Sequence, residues 1–283
     1  MPKSLTKTQI AQYDEAGYLA PIPVMAEDEA LALRQKLEAI EAEMGGPLRG
    51  DLRHKTHLLF PFLAGLVRHP RILDAIEDVL GPDILCWSSN FFIKEATDPA
   101  FVSWHQDSTY WGLSSPDVAT AWVALTPSNA ANGAMAVIPG SHKLDQMPHR
   151  DTFHRHNLLT RGQEIAVEVD ESQSVPLNLR PGEMSLHHVR LVHGSAPNPS
   201  LDRRIDFAIR YIPTSIRQLE GEDSATLVRG EDRFHYFEHE PSPRIDMDPA
   251  LLELHRQIAA RNAKILYRGT GVTSFNDPAA LRG

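Results

Sequence analysis

The chain holds one cysteine, Cys86, among 283 residues. A lone thiol excludes an intramolecular disulfide, so folding does not depend on an oxidising compartment, and Cys86 is expected as a small buried apolar residue. No apolar run approaches the length of a membrane span. The N-terminus, MPKSLTKTQIAQYDEAG, scatters charge where a signal peptide would be uninterrupted and apolar. The expected location is therefore cytoplasmic, with no membrane partner. Dense Lys/Arg blocks are also missing, and 37 acidic side chains outnumber 28 basic ones for a formal charge of −9, which disfavours nucleic acid as a partner. With 42% hydrophobic residues the chain is too apolar for disorder, and its 21 prolines and 17 glycines imply many turns.

The length permits one large domain or two small ones. Thr6 with Gln9 resembles a capping box opening a short helix that Gly17 stops. Ala30, Leu31, Leu33, Leu37 and Ile40 recur near a 3.6-residue period and predict a helix from Ala26 to Glu43, closed by Gly45-Gly46. Ile72, Leu73, Ile76 and Leu80 predict another from Pro70 to Leu80. From about Asp83 to Pro213 the texture changes to short Trp-, Phe-, Ile- and Val-rich runs between turn signals, the pattern of a sandwich or barrel. The candidate strands are Ile84 to Lys94, Ser103 to His105, Ala119 to Leu125, Ala134 to Ile138, Gly182 to His188 and Arg204 to Ile212. A last helix is expected from Pro249 to Leu266. The organisation is read as one domain over 1–283: a helical part (1–82), a β core (about 83–213) and a C-terminal extension (214–283).

In His105-Gln106-Asp107, residues i and i+2 of an extended segment project from one face, so an imidazole and a carboxylate converge. A third ligand from a distant strand would complete a 2-His-1-carboxylate set, which leaves metal positions open for oxygen and a co-substrate. His193 is that candidate, and His187 and His188 are rivals. Eleven residues on, Arg204 opens an alternating segment whose Ile205, Phe207, Ile209 and Tyr211 share the opposite face. A guanidinium there can grip a carboxylate through two parallel hydrogen bonds. Arg203 competes for the role.

These residues, with Ala121-Trp122-Val123-Ala124-Leu125, Asn132-Gly133-Ala134-Met135, Ile138-Pro139-Gly140-Ser141-His142 and His193-Gly194-Ser195, together resemble the phytanoyl-CoA dioxygenase family over about residues 84–213. The resemblance implies a double-stranded β-helix, a jelly-roll core of the cupin kind, flanked by N- and C-terminal helices. It implies Fe(II) on His105, Asp107 and His193, and 2-oxoglutarate as co-substrate with its far carboxylate on Arg204 and Ser195. It also implies consumption of O2, with hydroxylation of a small-molecule substrate and decarboxylation of 2-oxoglutarate to succinate and CO2.

Trp122 and Asn132 are candidates beside the co-substrate, although a packed aromatic and an Asn-Gly turn explain them equally well. Trp104, Tyr110 and Trp111 are candidate pocket walls, Asn90 and Lys94 share a strand face from which either substrate is in reach, and His149, His154 and His156 are candidates for a lid. A halogenase of this fold would replace Asp107 with a small residue, so hydroxylation is favoured. A cupin-like isomerase or hydrolase would have no use for Arg204 and Ser195, and a non-catalytic ligand binder would have no use for three metal-ligand types. No basic cluster suited to the phosphates of CoA appears along the chain, which favours a small metabolite over a fatty acyl-CoA.

Overall fold

The computed structural model describes residues 2–277. Its helices follow the periodicities closely: α1 Lys7–Ala16, α2 Glu27–Met44, α3 Pro61–Leu66, α4 Pro70–Leu80 and α5 Pro249–Leu266. The capping box forms, with Gln9 N–H donating to Thr6 Oγ1 (3.2 Å) and Thr6 N–H to Gln9 Oε1 (2.9 Å). α1 ends where Gly17 turns left-handed (φ 79°), and a Cβ there would collide with the His142 ring. Pro70 sits in the first turn of α4, where its missing N–H costs nothing. α3 was not foreseen, because six residues are too few to show a period.

Thirteen short strands are present among the described residues: β1 Tyr18–Pro23, β2 Ile84–Lys94, β3 Val102–His105, β4 Ala119–Ala124, β5 Ala136–Val137, β6 His149–Arg150, β7 Glu164–Ile165, β8 Val175–Pro176, β9 Glu183–His188, β10 His193–Ser195, β11 Arg204–Pro213, β12 Ser224–Arg229 and β13 Glu238–His239. Seven make one sheet in the order β1-β9-β4-β11-β2-β12-β13, and four make a second in the order β3-β10-β5-β8. Both expected limits of the β region move outward. β1 lies inside the segment read as helical and pairs with β9, and β12 lies beyond 213 and pairs with β2. β1 is obscured by its two prolines, and at an edge each can sit without removing a ladder hydrogen bond from a second neighbour.

β11 lies between β2 and β4, with every residue from Arg204 to Ile212 buried. Its alternation divides the molecule. Ile205, Phe207, Ile209 and Tyr211 face a core shared with α4, α3 and α2, and truncating Phe207 to Ala there would cost about 3–5 kcal/mol. Arg204, Asp206, Ala208 and Arg210 occupy the other face, where a smaller apolar cluster including Phe92, Val102, Trp122 and Val137 packs between the sheets. Three buried charges on a central strand contradict the usual composition of an interior, and they mark where function overrides packing. No helix among the described residues is long and apolar enough to cross a membrane.

Candidate metal centre and its cavities

His105 closes β3 and His193 opens β10, and the two strands register them directly opposite each other. Gln106 stays extended (φ −113°, ψ 135°), so Asp107 returns to the face of His105 before the chain turns into a 3-10 helix at Asp107–Tyr110. Asp107 N–H donates to Val189 O at 3.0 Å, and Gln106 N–H donates to His149 Nε2 at 3.0 Å. His149 therefore braces the ligand turn.

One ligand atom from each of His105, Asp107 and His193 lies within 4.8 Å of the others, and all three residues are buried. The tautomers are set from behind. His105 Nδ1 lies 2.9 Å from Ser103 O and 3.0 Å from His193 O, and His193 Nδ1 lies 2.8 Å from Leu191 O. Carbonyls only accept, so each Nδ1 carries the proton and each Nε2 keeps a free lone pair. Burial pushes His193 well below the ordinary imidazole value. Burial also opposes the charge on Asp107, but its contact with the His105 ring, 3.4 Å from Nε2 to Oδ1, and the positive field of Arg210 outweigh it, holding the carboxyl below its usual range. Two neutral imidazoles and one carboxylate is the donor set that suits a divalent metal with open positions, so the triad could hold iron.

The rivals are separated by geometry. His187 packs 5.1 Å from His193, ring to ring, but lies outside the converging set; its burial pushes it down to about 4. His188 points elsewhere, accepting from Arg190 N–H at 3.1 Å and packing against His142.

Beside the triad lies a second buried group. Arg204 and Lys94 are direct cross-strand neighbours, both fully buried. Lys94 Nζ donates to Ser195 Oγ (2.7 Å), to Gly133 O (3.2 Å) and to Ala196 O. Arg204 donates Nη1 to Gly133 O and sets Nε 3.0 Å from Asp206 Oδ2. Burial pushes Lys94 down to about 6, with Arg204 adding to the shift, and it pushes Asp206 up to about 6 against the pull of Arg204. Arg204 Nε and Nη2, Trp122 Nε1 and both Asp206 oxygens complete no hydrogen bond. Each such buried group costs about 1–3 kcal/mol, and an arriving carboxylate would satisfy the open guanidinium donors and favour the protonated form of Lys94. The group fits a carboxylate.

Arg203, the competitor of Arg204, is excluded, because Glu38, Glu41 and Glu95 hold it at the surface of α2. Asn132 takes the turn, the second of its two readings. Its Oδ1 accepts from Asn129 N–H (2.8 Å) and its Nδ2 donates to Pro127 O (2.6 Å), so its amide is spent within its own turn. It presents Gly133, whose left-handed backbone (φ 72°) offers the carbonyl that Lys94 and Arg204 share.

Two cavities meet here. A narrow one of about 10 Å³ is lined by all three triad residues together with Trp122, Ser195 and His187. A larger one of about 510 Å³ reaches Asp107 and is walled by Trp87, Trp111, Tyr110, His154 and His156, among others. Arg210 lines both, with Nη1 on Asn90 Oδ1 and its guanidinium 5.4 Å from the Trp111 ring. Tyr110, Trp111 and Asn90 line the larger cavity as expected, and His154 and His156 also stand in its wall, whereas Trp104 lines neither cavity. The walls from Arg49–His54 and Tyr267–Phe275 had no local signal, since single residues from distant segments leave no pattern.

The profile of the phytanoyl-CoA dioxygenase family matches residues 13–205. A probable alpha-ketoglutarate-dependent hypophosphite dioxygenase of Stutzerimonas stutzeri is 34% identical over 157 residues, 55% of this chain and 54% of that protein. This chain thus spans about half the length of that relative. The L-proline trans-4-hydroxylase of Streptomyces griseoviridis is 27% identical over 225 residues, covering 71% of this chain and 84% of that protein. Among solved structures, one described as non-heme monooxygenase, ThoJ apo, superposes with a TM-score of 0.81 at 36% identity, covering 91% of this chain and 97% of that one. With two thirds of its length matched and the motif residues converging at one point, the chain belongs to the phytanoyl-CoA dioxygenase family.

Proposed function

We propose that this protein is an Fe(II)- and 2-oxoglutarate-dependent dioxygenase that hydroxylates a small organic molecule, with iron on His105, Asp107 and His193 inside a double-stranded β-helix formed by one cytoplasmic domain. The observation that carries the reading is the convergence of the three ligand atoms within 4.8 Å beside a buried guanidinium that lacks a full set of partners. Bound iron supplies oxygen activation coupled to decarboxylation of 2-oxoglutarate to succinate and CO2. The chain's own residues supply position and charge. Carbonyls behind His105 and His193 aim each Nε2 at the metal, and Asp107 gives the site its negative ligand. Arg204, with Trp122 and Ser195, receives the far carboxylate of 2-oxoglutarate, and Lys94 steadies Ser195. The second sheet and the apolar cluster between the sheets screen these groups from water, which strengthens every charge contact among them.

Family relatives named for hypophosphite and for proline support a small substrate without choosing one. Asp107 occupies the metal position that a halide would need, which favours hydroxylation over halogenation. The test is succinate formation from 2-oxoglutarate with and without Fe(II), alongside iron binding by calorimetry. Unmodified protein should bind iron and form succinate only with it. His193→Ala and Asp107→Ala should lose most of both, while His188→Ala keeps its iron. Iron retained by His193→Ala but lost by His188→Ala would refute the assignment.

A further inference from the structure

The chain is acidic overall, yet its larger cavity is cationic. Arg49, Arg53, Arg155, Arg161 and Arg210 line it, and the only carboxylate among its described lining residues is Asp107, which the metal claims. Two of the five are already answered. Asp151 and the carbonyls of Leu266 and Arg268 hold Arg161, and Asn90 holds Arg210, which also feels Asp107. Among the described residues, Arg155 bonds only a histidine, donating Nε to His156 Nε2 at 2.9 Å. Among the described residues, no carboxylate forms an ion pair with Arg49, the N-cap of the short Gly50–Arg53 helix, or with Arg53, its last residue. Arg53 is half-buried, and burial lowers its pKa with only Tyr267 acting against the shift. A partly desolvated guanidinium without an anion is costly, and its fork matches a carboxylate or phosphate in two parallel hydrogen bonds.

Part of the remaining wall is aromatic. Trp87 and Trp111 pack at 4.9 Å between centroids, Arg210 lies against Trp111, and Phe92 and Phe153 line the same cavity. At about 510 Å³ the cavity falls within the range that holds an organic ligand of moderate size.

We infer that the substrate is an organic anion: a carboxylate- or phosphate-type group held by Arg49 and Arg53, joined to an apolar or aromatic body that lies against Trp87 and Trp111. This rests on the triad as the reacting centre, because that reading makes the larger cavity the substrate's.

The test uses binding and needs no turnover. Trp87 and Trp111 report occupancy through quenching of tryptophan fluorescence in the full chain. The probes are phenylvalerate and phenyl phosphate, each compared with neutral phenylvaleramide and cationic phenylpentylamine. The anions should bind roughly ten- to hundredfold more tightly than the amide, the expected worth of charged hydrogen bonds. Phenylvalerate and phenyl phosphate together distinguish the two anion classes. Arg53→Gln should remove most of the preference, and Arg49→Gln, at an exposed side chain that cannot decide folding, should weaken it. Saturating 2-oxoglutarate should leave probe binding in place.

Equal affinity for anion and amide, tighter binding of the amine, or no binding by either anion would overturn the inference. So would a preference that survives both substitutions, or one that 2-oxoglutarate abolishes. Loss of iron-dependent succinate formation would instead remove the dioxygenase reading while leaving the fluorescence result standing.

Discussion

Replacing Arg204 by Lys is the sharpest probe of the co-substrate site, because it keeps the charge and removes only the planar fork. In the folded protein Nη1 is committed to Gly133 O, Nε lies 3.0 Å from Asp206, and Nη2 has no partner. A carboxylate arriving beside Trp122 would take Nη2 together with Nε. One lysine ammonium drawn toward Asp206 and Gly133 cannot offer that pair. Losing one charge-assisted hydrogen bond removes about 1.5–3 kcal/mol, which is roughly a ten- to hundredfold weaker hold on 2-oxoglutarate. Arg204→Ala would be a poor substitute, since it strands Asp206 without its buried counter-ion and costs about 3–5 kcal/mol of stability on its own. The assay is succinate formation against 2-oxoglutarate concentration at saturating Fe(II), with iron binding and a thermal melt measured on the same variant. The Michaelis constant should rise while iron affinity and melting temperature stay close to those of the unmodified protein. A Michaelis constant within about twofold of the original would refute the reasoning and pass the role to Arg210, which lines the narrow cavity from the same face of β11.

Lys55 is buried against Glu240 (2.6 Å), whose other oxygen accepts from Thr226 Oγ1 (2.7 Å), so Lys55→Met should cost about 3–5 kcal/mol and lower the calorimetric melting temperature by roughly 6–20 °C. Burial opposes the charge on both partners, yet their attraction lowers Glu240 and raises Lys55. The stabilisation is therefore present from about pH 4.3 to about pH 10.4, fading as pH falls below the first or rises above the second, and Lys55→Met should flatten the acid limb of stability against pH. Product analysis by mass spectrometry with an accepted substrate and excess chloride should reveal oxygenated product from the unmodified enzyme, and a chlorinated major product would overturn the part given to Asp107.

Local physics made much of the chain legible. α4 and α5 begin and end where proline, glycine and the apolar period place them, and β2 runs over the expected residues because its aromatic and β-branched run is long. The misses share one cause. α3, β8 and β13 are too short to show a period, and β1 and β12 owe their existence to strands far away in sequence that offer them hydrogen bonds. At the site, the sequence leaves Asn132 between the co-substrate and its own turn, and only the folded turn supplies the partners that decide it.

The sequence by itself determined the two ends of the ligand set and the facing of β11. An i, i+2 pair in extended chain must share a side, and alternation must put Arg204 opposite Phe207. What it left open was closed by pairing across distance. The register of β10 against β3 sets His193, and not His187 or His188, opposite His105. The register of β11 against β2 puts Lys94 beside Arg204. Reading along the chain finds no basic cluster, because Arg49, Arg53, Arg155 and Arg210 are separated by up to 161 positions. Only the folded chain brings them to one wall, since a cavity is made by residues that are neighbours in space and need not be neighbours in sequence.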